Sequence, residues 1–141
     1  MDISRLIRNL NIVVRTLKRQ INGPMNKLGL NDSNYYMVLR VYDQPGITQE
    51  ELSMDMKRER SLVTKSVNKL IKSNWIKVKN DDTDKRVLHL YPTELAREHH
   101  TELMGILRDN NETGLEMLTS TEKTMFLQLL QKITDAMDDR P

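Results

Sequence analysis

One segment, from Thr48 to Thr93, constrains the fold of this chain more than any other. Thr48 and Glu51 have the spacing of a helix capping box, so a short helix is expected to begin there. After a turn at 57–59, apolar residues recur at the spacing of a second helix with one buried face: Val63, Val67, Leu70 and Ile71. Residues 75–78 and 87–91 alternate as short strands around an acid-rich turn, and together they predict a hairpin. This order is typical of a helix-turn-helix followed by a wing.

The second helix of this segment, predicted over residues 60–73, carries charges of one sign. From Arg60 to Asn80, counting both ends, the chain has six basic residues and no acidic one. If the apolar face is buried, the outward side chains carry groups that read base edges or bind phosphate: Arg60, Ser61, Thr64, Lys65, Asn68 and Lys69, with Arg58 in the turn before them. A solvated helix normally mixes charge signs to form pairs four residues apart. This helix is therefore predicted to enter a DNA major groove.

The tip of the predicted hairpin provides a second candidate DNA contact. Arg86 follows Asp84 by two residues, so the carboxylate can hold the guanidinium in one pose. An arginine held in this way can enter a narrow minor groove. We therefore predict that Asp84, Lys85 and Arg86 contact DNA from the wing, residues 75–91. The alternative is an ordinary surface ion pair, which contributes little.

The distribution of charge along the chain indicates a polyanionic partner. Residues 57–93 hold ten basic and four acidic residues, a net charge of +6, whereas residues 94–141 hold five and ten, a net charge of −5. A basic centre and an acidic tail present one face to DNA and keep it from the other. Two alternatives stay open: a solvated surface without a partner, and a winged helix whose basic face binds an acidic partner protein.

The regions on either side of this segment predict long helices. Alternating three- and four-residue apolar spacing predicts a helix from residue 3 to about residue 22, before Gly23-Pro24. In chain order, the second helix is expected to follow Asn31 as its N-cap, and the helices of residues 48–73 are the third and fourth. The fifth is expected to follow Thr93, and the last to begin at the capping box of Thr119 and Glu122.

These elements predict one domain, residues 1–141, of mainly α class with a small β-hairpin wing. Residues 31–93 form the winged helix-turn-helix lobe in this interpretation, and residues 1–30 and 94–141 supply dimerisation helices. Because those terminal helices are apolar along one side, we expect them to pair with the same helices of a second chain. A monomer that folds both over its own core is the alternative.

Composition excludes several classes of function. The chain has no cysteine, which excludes disulfides and thiolate zinc sites. Neither a signal peptide nor a membrane-spanning run is expected from the sequence, so a cytoplasmic protein without membrane contact is predicted. No nucleophile turn, glycine-rich phosphate loop or metal-binding triplet is present, so we expect neither catalysis nor a cofactor.

Two further groups of residues were considered as ligand sites. Glu98, His99, His100 and Glu102 suggest a metal, but adjacent histidines on a helix point to different sides, and no metal site is predicted. Arg15, Tyr35 and Tyr36 are candidates for binding an anionic or aromatic effector. Met25, Met37 and Met104 can line a plastic pocket, or they can simply fill the core.

The motifs of the central segment resemble those of the MarR family of bacterial winged-helix regulators. The resemblance rests on Thr48–Leu52, Arg60–Lys65, Asp84–Arg86 and Thr93–Glu94, and it extends to Leu30 and to the helix start at Leu118–Glu122. It implies a homodimeric repressor bound to a pseudo-palindromic operator, with helix 60–73 in the major groove and the wing in the minor groove. It also implies release from DNA by a small effector. The chain departs from the family pattern at Asn74, Lys85, Pro92 and Ala96.

Overall fold

The structure, a computed structural model, describes residues 1–137. In chain order the elements are α1 (Ile3–Lys27), α2 (Tyr35–Asp43), β1 (Ile47–Thr48), α3 (Gln49–Met56), α4 (Arg60–Lys72), β2 (Ile76–Asn80), β3 (Leu88–Pro92), α5 (Glu94–Arg108) and α6 (Ser120–Ala136), with a 3-10 turn at Leu115–Met117. The predicted class is confirmed, since the chain is mainly helical with a small antiparallel sheet. Within the described residues, no helix is long and apolar enough to cross a membrane.

The backbone divides into two compact units. The lobe comprises Lys18–Arg108, and the helical unit comprises Met1–Leu17 together with the described residues from Asp109 onward. Every buried hydrophobic side chain of the described residues belongs to the lobe, between Met25 and Leu103. The helical unit, in contrast, exposes most of its large apolar side chains along α1 and α6. Residues 18–30 and 94–108 therefore lie in the same unit as the winged segment.

The core of the lobe is built from one face of each helix and the inner face of the sheet. As predicted, Val63, Val67 and Leu70 of α4 are buried, whereas Ile71 is half-buried. They join buried side chains from α2, α3, the sheet and α5: Met37, Val38, Val41, Leu52, Trp75, Ile76, Leu90, Ala96 and Leu103. Burying one side of α4 in this way leaves its polar side facing solvent.

The wing is a three-stranded antiparallel sheet in the order β1-β3-β2. Its central strand β3 pairs with β2 from Leu88 to Pro92 and with β1 at His89 and Leu90. The predicted hairpin is confirmed, although its strands lie one or two residues further along the chain than expected. Strand β1 was not predicted, because two residues are too few to show an alternating pattern.

The predicted end of the first helix is wrong. Helix α1 continues through Gly23 and Pro24 to Lys27. Proline inside a helix removes one donor, yet the chain after it is fixed because Met25 is fully buried and its carbonyl accepts from the backbone N–H of Leu30 at 2.9 Å. The turn that ends the helix instead comes at Gly29, whose φ of +79° favours glycine.

The predicted start of the second helix is also wrong, by about one turn. The side chain of Asn31 accepts from the backbone N–H groups of Ser33 and Asn34 at 2.8 and 3.1 Å, which closes a local turn. Helix α2 therefore begins at Tyr35 rather than directly after Asn31. Asparagine forms such turns as readily as it caps helices, so the residue type alone did not separate the two outcomes.

Candidate nucleic-acid interface

Hydrogen bonds at both ends of α3 fix this helix and the turn that leads to α4. At its start, the hydroxyl of Thr48 accepts from the backbone N–H of Glu51 at 3.1 Å, and the Glu51 carboxylate accepts from the N–H of Thr48 at 3.2 Å. At its end, Lys57 adopts a left-handed conformation, with φ of +53°. The N–H of Arg58 then donates to the carbonyl of Ser53 at 3.3 Å. The capping box and the turn are confirmed, and they set the direction in which α4 leaves.

Most of the polar face of α4 is open to solvent. Arg60, Ser61, Lys65, Asn68 and Lys69 are exposed, and so is Arg58 in the preceding turn. Because these side chains lie opposite the buried valines, the helix presents cations, a hydroxyl and an amide on one side. This is the chemical set that binds phosphates and base edges.

Thr64 differs from its neighbours because its hydroxyl is already engaged. It is half-buried, donates to the Arg60 carbonyl at 2.8 Å, and accepts a hydrogen bond from the side-chain amide of Gln49. Gln49 thus links the start of α3 to α4. Sequence reasoning missed Gln49, because a hydrogen bond across fifteen residues has no local pattern that could reveal it.

Arg86 at the wing tip is held by Asp84 in a bidentate ion pair. Its Nε and Nη2 donate to the two carboxylate oxygens at 3.1 and 3.2 Å, and its backbone N–H donates to Asp84 at 3.0 Å. These hydrogen bonds from Arg86 lower the pKa of Asp84. The Arg86 side chain is nevertheless 91% exposed. The guanidinium is therefore oriented by its partner while it stays accessible.

The rest of the wing turn is closed by short-range hydrogen bonds. The backbone N–H of Asp81 donates to the Val87 carbonyl at 3.0 Å. The side-chain amide of Asn80 donates to the Lys85 carbonyl at 3.1 Å, while the Lys85 side chain remains exposed. Asp84, Lys85 and Arg86 are thus displayed by a closed seven-residue connection between β2 and β3.

A cleft of about 210 Å³ lies between α3, α4 and the wing. Its lining comes from the end of β1, the start of α3, the first five residues of α4, the wing turn and the beginning of β3: Thr48, Gln49, Glu50, Arg60, Thr64, Arg86, Val87 and Leu88. Two arginines from different elements therefore border the same cleft. Glu50 is an acidic group on its edge, which the sequence interpretation did not consider.

The candidate effector residues are divided between the two units of the chain. Arg15 belongs to the helical unit, whereas Tyr35 and Tyr36 belong to the lobe. The Tyr36 hydroxyl donates to Asp55 at 2.6 Å, and the Arg40 guanidinium donates to the same carboxylate oxygen at 3.3 Å. Burial and the hydrogen bond to Asp55 raise the pKa of Tyr36 to about 12. Tyr36 therefore links α2 to α3 as a neutral phenol.

The candidate effector methionines and the histidines of α5 have separate surroundings. Met25 and Met37 are fully buried in the lobe core, and Met104 is half-buried. His99 contacts Glu102 at 3.0 Å and lies beside Trp75, whereas the ring of His100 stacks on Tyr42 at 3.7 Å. The two histidines point in different directions, as expected. Within residues 1–137, no group of three potential metal ligands comes together.

This geometry agrees with the comparisons with known proteins. The model of the MarR family matches residues 30–88, which contain α2, the helix-turn-helix and most of the wing. Residues 30–88 of this chain therefore form a MarR-family domain. Members of this family are non-enzymatic DNA-binding transcription factors, in line with the expectation that the chain is not an enzyme.

Individual transcriptional regulators resemble nearly the whole chain. The HTH-type transcriptional regulator YybA of Bacillus subtilis is 27% identical over 91% of this chain and 85% of its own length. The transcriptional repressor MprA of Escherichia coli is 27% identical over 96% of this chain and 72% of its own length. A MarR-family regulator from Listeria monocytogenes, solved with a 26mer DNA, superposes with a TM-score of 0.85 at 23% identity, covering 94% of this chain and 89% of that one.

Proposed function

We propose that this MarR-family chain is a sequence-specific regulator that binds double-stranded operator DNA as a homodimer and represses transcription. The observation that carries the proposal is the cleft between α4 and the wing, where Arg60 and the oriented Arg86 border the same space. Two cations that come from separate elements and face one cleft suit a phosphate-lined ligand. The Listeria monocytogenes relative, whose fold is similar, was solved with DNA.

Helix α4 supplies the contacts in the major groove. Arg60, Ser61 and Asn68 reach base edges, whereas Arg58, Lys65 and Lys69 bind phosphates. Thr64 acts mainly by holding Gln49, because its hydroxyl already makes two hydrogen bonds. The side chain of Glu59, the residue before α4, does not cap the backbone N–H groups of the first turn. These N–H groups can therefore bind a phosphate of the same ligand. The helix thus combines a sequence-independent grip with a few base contacts.

The wing supplies the contact in the minor groove. Asp84 fixes Arg86 before DNA arrives, so less side-chain freedom is lost on binding. Lys85 adds a second, exposed positive charge beside it. An arginine in this position favours DNA with a narrow minor groove. Groove width depends on the base sequence, so the arginine contributes to sequence selectivity without a direct base contact.

The exposed apolar faces of the helical unit support the homodimer. On α1, Ile3, Leu6, Ile7, Leu10 and Val14 are between 37% and 65% exposed, and on α6 Met125, Leu129 and Ile133 are 52% to 56% exposed. Patches of this kind on a soluble domain mark an interface. A second copy is the partner that fits, because two-fold symmetry repeats the same apolar face and matches a pseudo-palindromic operator.

Repression and release by an effector complete the proposal. MprA, which resembles this chain over most of its length, is a transcriptional repressor. A small aromatic or anionic effector would act by favouring a dimer geometry that does not fit the operator. Arg15, Tyr35 and Tyr36 remain the candidates for binding it. A regulator of this kind acts in the cytoplasm, where the bacterial chromosome lies.

Fluorescence anisotropy of the full chain with a labelled duplex from its own upstream region tests the proposal. A scrambled duplex of equal length is the control, and both are measured over a series of salt concentrations. We expect tight, sequence-selective binding whose affinity falls steeply with salt. Equal weak binding to the upstream duplex, the scrambled duplex and duplexes selected from a random pool would contradict it. Capture of an acidic partner protein would then favour a protein-interaction module.

A further inference from the structure

His89 of β3 connects the wing turn to the turn before β1. Its Nδ1 lies 2.8 Å from the carbonyl oxygen of Gly46, and its Nε2 lies 2.8 Å from Oδ1 of Asp81. Gly46 has a φ of +90°, a conformation that favours glycine, and its N–H donates to the Leu90 carbonyl at 2.7 Å. The turn is therefore anchored on β3, with its carbonyl oxygen directed at the His89 ring.

Both neighbours of the His89 ring are hydrogen-bond acceptors. A carbonyl oxygen cannot donate, and Asp81 already accepts from three other groups through Oδ2, as expected for an ionised carboxylate. Both ring nitrogens must therefore carry hydrogen to satisfy the two contacts. A neutral imidazole has one N–H, so only the imidazolium can make both bonds. The His89 side chain is 26% exposed, which leaves it open to exchange protons with water.

Asp81 transmits this contact to the wing tip. Its Oδ2 accepts from the backbone N–H of Thr83 at 3.1 Å, from the Thr83 hydroxyl at 2.9 Å and from the backbone N–H of Asp84 at 3.1 Å. Asp84 then holds the guanidinium of Arg86. A continuous series of hydrogen bonds thus runs from Gly46 through His89, Asp81 and Asp84 to the wing arginine.

Two further charged residues lie near His89. Glu51 of α3 favours the protonated ring, as Asp81 does, and Lys79 is the residue directly opposite His89 on β2. Thr48, the opposite residue on β1, carries no charge. The hydrogen bond to the Gly46 carbonyl and then that to Asp81 raise the pKa of His89, and the hydrogen bond from His89 lowers the pKa of Asp81.

We propose that His89 is a positioning residue for DNA binding, whose imidazolium fixes the wing turn and thereby the pose of Arg86, so that loss of its proton weakens operator binding. The proposal rests on the proposed function, in which Arg86 contacts DNA. Since the pKa of His89 is raised above 6.5, the bridge is complete below that value and is lost as pH rises through the raised pKa. Operator affinity attributable to the wing therefore falls from mildly acidic to alkaline pH.

The first experiment needs no DNA. NMR titration of the histidine rings in the full chain reports the pKa of each ring and the protonation of each nitrogen. We expect His89 to titrate above the ordinary value and to carry both N–H groups at about pH 6. Asp81→Asn should lower the pKa of His89, because the neutral amide no longer favours the charged ring. A His89 ring that titrates at or below the ordinary value, unchanged by Asp81→Asn, would overturn the proposal.

The second experiment measures affinity for a duplex selected by the protein from a random pool, from about pH 6 to about pH 8.5 at constant ionic strength. His89→Gln is compared with the wild type, and His99→Gln removes a histidine of α5 as the matched control. We expect the wild type to bind about fivefold more tightly than His89→Gln at about pH 6, the scale of one partly exposed charge-assisted hydrogen bond. The difference should disappear as pH rises, and His99→Gln should follow the wild type.

Two results of the second experiment overturn the proposal in distinguishable ways. A ratio of wild-type to His89→Gln affinity that does not change with pH would mean that His89 only packs the wing. A wild type that selects no duplex at any pH would remove the proposed function and this proposal with it, even if NMR detects the charged bridge. Should His89→Gln not fold, as judged by circular dichroism, Asp81→Asn replaces it and should show the same pH-dependent loss.

Discussion

The guanidinium of Arg86 makes a bidentate ion pair with the Asp84 carboxylate, with Nε–Oδ1 and Nη2–Oδ2 distances of 3.1 and 3.2 Å. Such a pair on a protein surface contributes little to the free energy of unfolding. Its value lies in orientation, because one planar side chain fixes another at a solvent-exposed tip. We therefore expect the Asp84–Arg86 pair to matter for binding DNA rather than for folding.

Arg86→Ala should weaken operator binding by on the order of tenfold and reduce the salt slope by about one unit per protomer. The reason is the loss of one cation that displaces a condensed counterion from DNA. Anisotropy with the labelled operator over a salt series measures both quantities. Arg97→Ala, which removes an arginine of α5 paired with Glu94, is the matched control and should leave both unchanged. Wild-type-like binding by Arg86→Ala would remove the wing from the proposed interface.

Glu50→Gln should tighten operator binding by about threefold at low salt. Glu50 borders the cleft that Arg60 and Arg86 share, so its negative charge repels a phosphate there. The gain should shrink as salt rises, because exposed charges are screened. Glu98→Gln, an exposed acid on α5, is the control. Equal affinities for Glu50→Gln and the wild type at every salt concentration would show that no phosphate enters the cleft.

Asn68→Ala and Lys69→Ala should separate base reading from phosphate binding. Both side chains are exposed on α4. Asn68→Ala should reduce the affinity for operator relative to scrambled DNA by roughly 1–3 kcal/mol if the amide binds an adenine edge. Lys69→Ala should weaken binding to both duplexes alike and reduce the salt slope. If Lys69→Ala instead lost much more affinity for the operator than for scrambled DNA, Lys69 would control selectivity and the assignment would be wrong.

The segments predicted well from the sequence are those whose signal is local. The capping boxes of Thr48 and Thr119 need residues three apart, and the buried face of α4 needs one helix. The Asp84–Arg86 pair spans two residues, so its geometry too was expected from the chain alone. In each case the interacting groups are brought together by one turn of backbone.

Several features that the sequence did not reveal depend on distant parts of the chain. Gln49 bonds to Thr64, fifteen residues away. His89 bridges Asp81 and Gly46, and Gly46 is forty-three residues away. Helix α1 outlasts Pro24 because Met25 is buried by residues far along the chain. Propensity rules gave the opposite answer there, since tertiary packing outweighs the loss of one helical hydrogen bond.

Replacing apolar residues of the helical unit by acids should dissociate the dimer. Leu10→Glu and Ile133→Glu place charges on the exposed apolar faces of α1 and α6. Light scattering after gel filtration should give a mass near the 16.5 kDa of one chain for these variants and twice that for the wild type. Met54→Glu alters an exposed methionine of the lobe and should remain dimeric. A wild type of single-chain mass at micromolar concentration would contradict the homodimer.

Thr93→Ala should lower the free energy of unfolding by about 2 kcal/mol. The buried Thr93 hydroxyl donates to the Asn74 carbonyl at 2.7 Å and accepts from the N–H of Ala96 at 3.2 Å. It therefore caps α5 and also binds Asn74, whose left-handed conformation ends the turn after α4. Removing it leaves the Asn74 carbonyl and the buried N–H of Ala96 without this partner. Urea unfolding followed by circular dichroism, at one fixed chain concentration, measures the change.

Two variants test whether the loss at Thr93 comes from its buried hydroxyl. Thr93→Ser keeps the oxygen and should recover most of the stability. Thr119→Ala removes the same kind of cap from α6, but Thr119 is exposed, so water can replace its hydroxyl. The loss there should be about 0.5–1 kcal/mol. Equal losses for Thr93→Ala and Thr119→Ala would mean that the bond to Asn74 adds nothing, and that Thr93 acts as a helix cap alone.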